Sequence, residues 1–143
     1  AGGPLMSFGA AASRRGPRDD SPCPCGSGAS FGGCCGPLLR GAAAPTAERL
    51  MRSRYTAFAV GDAAYLSATW HPRTRPDDLE LDPALTWTGL EIVATEAGGT
   101  DEASGVVEFR AHWREGGGRG RLHERSRFAR VRGRWHYLDG ETS

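Results

Sequence analysis

Lysine, asparagine and glutamine are absent from this 143-residue chain, and isoleucine occurs once, as Ile92. All 18 basic residues are therefore arginine. The absences delete chemistry. Without lysine there is no Schiff-base amine and no phosphate-loop or kinase-type lysine. Without asparagine there is no N-glycosylation acceptor. Without either amide side chain, an oxyanion hole would have to use other donors. Catalysis, if any, must use Arg, His, Asp, Glu, Ser, Thr, Tyr, Cys, a metal or backbone groups. Glycine is abundant at 21 residues, and the skew as a whole reads as codon bias in a GC-rich genome. The formal charge of +1 nominates no partner. No run approaches the ~20 apolar residues that a membrane span needs. Phe8–Ala12 falls short of the roughly 7–15 apolar residues of a signal peptide, and Arg14, Arg15 and Arg18 follow it. A cytoplasmic protein without membrane insertion is expected.

The length suits one domain with an appendage. Residues 1–20 are expected to be a disordered tail. Within it, residues 1–5 precede Met6 and read as a tag remnant. Residues 21–40 hold all four cysteines, and residues 45–140 have globular patterning. Pro45 suits a first helical position and Glu48 suits the positive end of a helix. Leu50, Met51, Tyr55 and Phe58 then recur at helical spacing, and Gly61 ends the helix. Asp62 is placed to cap a second helix running to about Trp70. Pro72, Pro76 and Pro83 make the next stretch irregular. The period then changes to two, predicting strands at about 85–96, 105–114, 119–131 and 134–138. Their links are Gly98-Gly99, Gly116-Gly117-Gly118 and Gly133, which argues for antiparallel hairpins. Two helices followed by a four-stranded meander is an α+β pattern, with the helices on one sheet face.

Cys23, Cys25, Cys34 and Cys35 follow the spacing C-x-C-x8-C-C. Two ligand pairs joined by a short Gly-rich loop can close around one tetrahedral ion, and thiolates suit zinc. A segment of this length has no core of its own, so the metal would supply its folding energy. Two disulfides, in any of three pairings, are the alternative, and a cytoplasmic chain disfavours them. Free thiols and an iron–sulfur cluster remain open. The adjacent Cys34 and Cys35 suit a mononuclear site better than a cluster.

Ser-Pro-Cys-Pro-Cys-Gly-Ser-Gly (21–28) followed by Cys34-Cys35 resembles the SEC-C motif, the zinc knuckle of the SecA translocation ATPase. Four further segments extend the likeness. They are Ala-Pro-Thr-Ala-Glu (44–48), Leu-Met-Arg-Ser-Arg-Tyr (50–55), Thr-Trp-His-Pro (69–72) and His-Glu-Arg-Ser-Arg-Phe (123–128). With Cys-Cys-Gly-Pro (34–37), these resemble the YchJ family of bacterial proteins over residues 21–140. The resemblance implies a zinc knuckle at 21–40 joined to a nuclear-transport-factor-2-like (cystatin-like) domain at 45–140. Such a domain is a cone of curved sheet closed by N-terminal helices. The resemblance also implies that Cys23, Cys25, Cys34 and Cys35 are the metal ligands. It supplies no activity. In SecA the knuckle is implicated in protein contacts, so a protein partner at the knuckle is an expectation by analogy.

A cone invites the question of which polar residues point inward. On strand 119–131, Leu122 and Phe128 should face the core, which turns Glu124 and Ser126 the same way. Arg54 lies between Leu50 and Phe58 on the apolar stripe of the first helix. A buried Arg54–Glu124 pair is expected, because the guanidinium fork matches a carboxylate. Tyr55, Trp70 and His71 belong to the same layer and are expected to complete a pocket wall. The competing reading of that pair is structural, fixing helix against sheet. His112, His123 and His136 fall out of register with the core residues. No Ser-His-Asp order or metal-hydrolase spacing appears, so no catalytic residue is named.

Residues 119–134 contain seven Arg against the single acid Glu124, whereas residues 62–102 contain nine acids and two Arg. Arg119, Arg121, Arg125 and Arg127 share one strand face with His123. A solvated outer face, paired in part with Glu108, is the plain reading. A protein interface and an RNA- or ribosome-binding stripe are the alternatives. Three functional expectations follow: a zinc knuckle for macromolecular contact, a small-molecule or enzymatic cone pocket, and a nucleic-acid face.

Overall fold

The computed structural model describes residues 17–143, so most of the expected tail, Met6 included, lies outside the described residues. The first described elements are a 3-10 turn at Phe31–Gly33 and a five-residue helix, α1 (Cys35–Leu39). Neither was expected, because five residues containing Gly36 and Pro37 carry no readable helical period. Helix α2 spans Ala47–Val60 and α3 spans Ala63–Ala68. The strands are β1 (Thr86–Ala97), β2 (Ser104–Glu115), β3 (Gly118–Val131) and β4 (Arg134–Thr142). They form one antiparallel sheet in the order β1-β2-β3-β4. Residues 71–85 carry neither helix nor strand. The chain is thus a small α+β fold on a curved four-stranded meander.

Helix α2 begins two residues later than Pro45 suggests. Thr46 is the N-cap, and its hydroxyl accepts from Arg49 N at 3.1 Å. The side-chain cap satisfies a first-turn donor that no residue further back could reach. Gly61 ends α2 in the left-handed region at φ +82, and Asp62 caps α3 by accepting from Tyr65 N. Strand β4 runs four residues beyond the expected end at 138, because Asp139–Thr142 continue to pair with β3.

Three irregularities bend the sheet: between Trp87 and Gly89 and between Ile92 and Ala94 on β1, and at Leu138 on β4, opposite Arg127 and Phe128 of β3. An extra residue on one strand kinks it and raises the local twist, which curls the meander around α2. The concave face carries Val107, Phe109, Ala111, Phe128 and Trp135, and these pack against Leu50, Met51 and Tyr55 of α2. Phe31, Leu38 and all four cysteines belong to the same cluster, so the cysteine segment and the cone share one core.

The start of α2 is tied to the β1–β2 loop, with Ala47 N donating to Gly98 O at 2.9 Å. Gly98 and Gly105 make this approach possible. A Cβ on Gly105 would lie 2.5 Å from Gly98 Cα and 2.8 Å from Gly98 N. Backbone cannot yield as a flexible side chain can. Gly105→Ala should therefore cost about 2 kcal/mol, as overpacking does. Urea unfolding of the variant checks this, and an unchanged midpoint would contradict it.

Candidate functional site: a sulfur cluster and a cone cavity

The Sγ atoms of Cys23, Cys25, Cys34 and Cys35 all lie within 4.8 Å of one another. All four residues are buried and none is in a disulfide. Cys25 Sγ is 3.6 Å from Cys34 Sγ, and Cys34 Sγ is 3.9 Å from Cys35 Sγ. Four sulfurs at ~2.3 Å from a central ion have tetrahedral edges of about 3.8 Å, and these distances match. A disulfide would need the sulfurs at roughly 2.05 Å.

Local structure builds this cluster in two halves. Ser21–Ser30 folds back on itself, with Cys23 N donating to Ala29 O at 3.0 Å and Gly26 N to Cys23 O at 3.1 Å. Gly26 and Gly28 take φ of +76 and +92, which a residue with a Cβ rarely adopts. The 3-10 turn and α1 then present Cys34 and Cys35. Helix α2 clamps both halves: Arg52 Nη1 donates to Cys25 O at 3.1 Å, and Arg49 Nη2 donates to Cys34 O at 3.3 Å. Ser27 Oγ lies 3.2 Å from Cys34 Sγ, and Arg52 Nη1 lies 3.9 Å from Cys25 Sγ. These groups favour thiolate over thiol. The neighbouring Cys35 side chain, more than any other group, draws the Cys25 thiol down to about 4. The Cys25 side chain beside it, together with burial, pushes Cys35 up. Burial also raises Cys23. A dication at the centre removes the conflict, because all four sulfurs can then be ionised. Sequence reasoning missed Ser27, Arg49 and Arg52 around the sulfurs, and Thr56, whose Oγ1 lies 4.0 Å from Cys23 Sγ. The pairing of Arg52 with Glu48 at i,i+4 is the one signal that would have placed Arg52.

The second feature is a cavity of about 230 Å³ between α2 and the concave sheet face. Arg54, Tyr55, Trp70 and Glu124 line it, as do Ser126, Tyr137 and a set of apolar residues that includes Phe58, Trp87 and Phe109. Arg54 is only 3% exposed. Its Nη1 donates to Leu66 O at 2.9 Å and to Thr69 Oγ1 at 2.7 Å. Leu66 lies in the last turn of α3, whose carbonyls lack helical partners, so the guanidinium satisfies a helix end. The Arg54 guanidinium carbon also sits 5.1 Å from the Trp70 ring centroid and 4.8 Å from that of Tyr137. Burial lowers the Arg54 pKa to about 10, which still leaves it charged at neutral pH.

The expected Arg54–Glu124 ion pair does not form. Tyr137 stands between the two. Its ring takes the guanidinium on one face, while its hydroxyl donates to Glu124 Oε2 at 3.0 Å. Ser126 Oγ donates to the same oxygen at 2.6 Å. His71 is not brought to the cavity either. Trp70 bridges to Tyr137, with His71 N donating to Tyr137 O at 2.7 Å. Alternation along that extended segment turns Trp70 inward and His71 outward. His71 Nδ1 instead accepts from Arg73 N at 3.1 Å. Tyr137 was missed from sequence, although it alternates with the buried Trp135.

On the convex face, Arg125 meets Glu96 at 2.6 Å and Glu108 at 3.7 Å. Arg127 meets Asp139 at 2.6 Å, and His123 meets Glu108 at 2.7 Å. Half of the arginine stripe is thus matched by acids. Arg119 and Arg121 have no acidic partner among the described residues.

These features can be set beside known proteins. The family model described as "YchJ, middle NTF2-like domain" matches residues 46–140. The chain belongs to the YchJ (UPF0225) family. A UPF0225 protein of Streptomyces coelicolor is 60% identical over 121 residues, covering 84% of this chain and 94% of that protein. A UPF0225 protein of Chromobacterium violaceum is 52% identical over 123 residues, covering 82% and 90%. Among solved structures, a SEC-C motif containing protein from Rhodopseudomonas palustris is similar with a TM-score of 0.75 and 39% identity. It covers 85% of this chain and 98% of its own. A SEC-C motif containing protein from Psychrobacter arcticus gives a TM-score of 0.71 at 28% identity, covering 87% and 84%. The chain thus combines a SEC-C cysteine cluster with an NTF2-like cone. None of its described helices is long and apolar enough to cross a membrane.

Proposed function

We propose that Cys23, Cys25, Cys34 and Cys35 hold one structural zinc ion, and that the resulting knuckle is a contact point for a partner protein. The observation that carries the zinc reading is the set of four buried thiols at tetrahedral spacing. Four protein ligands leave no open position for substrate, as in structural rather than catalytic zinc sites. Zinc would supply two positive charges to the thiolates and no redox chemistry. Four unpaired thiols fit a reducing compartment, which supports a cytoplasmic setting.

The contact role has a separate support. The knuckle buries its sulfurs against α2, yet Gly26–Ser30 is exposed along its outer edge. This favours reading residues 21–40 as a knuckle stapled to the 45–140 cone with one face left free. Ala29 offers a clean test, since only its backbone takes part in hydrogen bonds. Elemental analysis should find one zinc per chain in the wild type and in Ala29→Arg, and none in Cys34→Ser. Proteins retained by the wild type on an affinity column should be lost with Ala29→Arg. Equal retention by both would remove the contact role and leave the zinc reading intact. Absence of zinc from the wild type would remove both.

A further inference from the structure

None of the four cysteines lines the cone cavity, and its proposed role does not rest on the zinc reading. Its chemistry is unusual for a packing void. It holds a buried cation and a half-buried carboxylate that do not neutralise each other. Opposite charges in a low-dielectric site attract strongly, so keeping them apart needs a device. Tyr137 is that device, with its ring under Arg54 and its hydroxyl on Glu124.

Each charge also keeps hydrogen-bonding capacity. Among the described residues only Nη1 of Arg54 has hydrogen-bond partners, so the Nε and Nη2 donors are free. Both donors to Glu124 go to Oε2, which leaves Oε1 free to accept. Most of the remaining wall is aromatic: Tyr55, Phe58, Trp70, Trp87 and Phe109. Size narrows the occupant further. An apolar protein cavity of roughly 150 Å³ holds benzene. About 230 Å³ admits one ring and its substituents but falls below the roughly 300–1,000 Å³ of pockets for drug-sized ligands.

We propose that this cavity binds a small aromatic or heteroaromatic molecule with a carboxylate or carbonyl acceptor at one end and an amino or other N–H donor at the other. The acceptor meets the free edge of Arg54, and the donor meets Glu124 Oε1. The ring occupies the aromatic wall between them. A ligand with only one of the two groups leaves either the free donors of Arg54 or the free Oε1 of Glu124 unmatched.

Gly140 provides a second handle on the carboxylate. It sits opposite Ser126, and a Cβ there would collide with Glu124 Oε2. The far end of Glu124 can move without disturbing backbone, so Gly140→Ala displaces the carboxylate while the sheet survives.

The test titrates the zinc-loaded full chain with para-aminobenzoate, benzoate, aniline and toluene, reading Trp and Tyr side-chain NMR signals and calorimetric heats. Para-aminobenzoate should bind at least about tenfold more tightly than benzoate, aniline or toluene. Glu124→Gln and Gly140→Ala should both erase its advantage over benzoate, and Arg54→Met should erase its advantage over aniline. Chemical shifts confirm that each variant is folded. If none of the four perturbs the Trp70 and Tyr137 signals at millimolar concentration, the cavity is a water-filled void and the proposal fails. It also fails if toluene binds as well as para-aminobenzoate, or if the three variants leave the order of affinities unchanged.

Discussion

Cys25→Ser should empty the knuckle of metal and lower the melting temperature by at least about 10 °C. Cys25 is the most enclosed of the four thiols, at 0% exposure. Its sulfur lies 3.6 Å from Cys34 Sγ and 3.9 Å from Arg52 Nη1. A serine oxygen at that position is a poor ligand for a soft thiolate-type site. Three thiols without a metal would keep protons in a buried place, and the segment has little else to order it. Its apolar anchors are Phe31 and Leu38, both buried in the shared cluster. Exposing two such side chains forfeits about 3–6 kcal/mol. The loss should not stop at the knuckle, because Leu50 and Met51 of α2 lie in the same cluster. The sheet should persist, since its ladders do not involve residues 21–40. Thermal unfolding by circular dichroism, with and without a chelator on the wild type, reads the effect. Chelation should reproduce the serine phenotype. A wild type indifferent to chelation would show that the metal is not what holds the segment.

The second large effect is at Arg54. Arg54→Ala should destabilise by about 3 kcal/mol, because it opens a void and leaves the Leu66 carbonyl without its buried donor. Arg54→Met should behave differently. Methionine keeps much of the volume and can lie against Trp70 and Tyr137. It also relieves the burial of a charge, a penalty on the order of 3 kcal/mol given a pKa drawn from 12.5 to about 10. Against that stand two hydrogen bonds and two ring contacts. Replacing a buried charge by an apolar residue of similar volume is often near neutral, so Arg54→Met should fall within about 1 kcal/mol of wild type. Urea unfolding of both variants separates two roles for the guanidinium. If Met costs as much as Ala, Arg54 is a brace between α2 and α3. If Met is tolerated, the charge is retained for something other than stability, as a ligand site requires.

Much of this arrangement is legible in the sequence, for reasons that differ by residue. The cysteines are legible because metal ligation imposes spacing along the chain. Arg54 is placed inward by the period of α2, and Glu124 by the alternation of β3. Both placements are local consequences of backbone geometry. Whether the two side chains meet is not local. It depends on Tyr137, which the register of β4 on β3 and the bridge from β4 to residues 69–71 bring to the site. The same pairing reverses the expectation for His71, whose position after a helix says nothing of the bridge that turns it away. Helix α1 escapes notice because five residues cannot show a period. The acids that match Arg125 and Arg127 come from β1, β2 and β4, so only the register of the sheet shows which arginines are neutralised.

The central claim is that four thiolates close around one zinc and staple the N-terminal segment to the cone. X-ray absorption at the zinc edge on the purified full chain tests it most directly. The account predicts one zinc per chain with four sulfur neighbours at about 2.3 Å and no nitrogen or oxygen in the first shell. A shell of fewer than four sulfurs, or a natively folded chain that contains no metal, would contradict it.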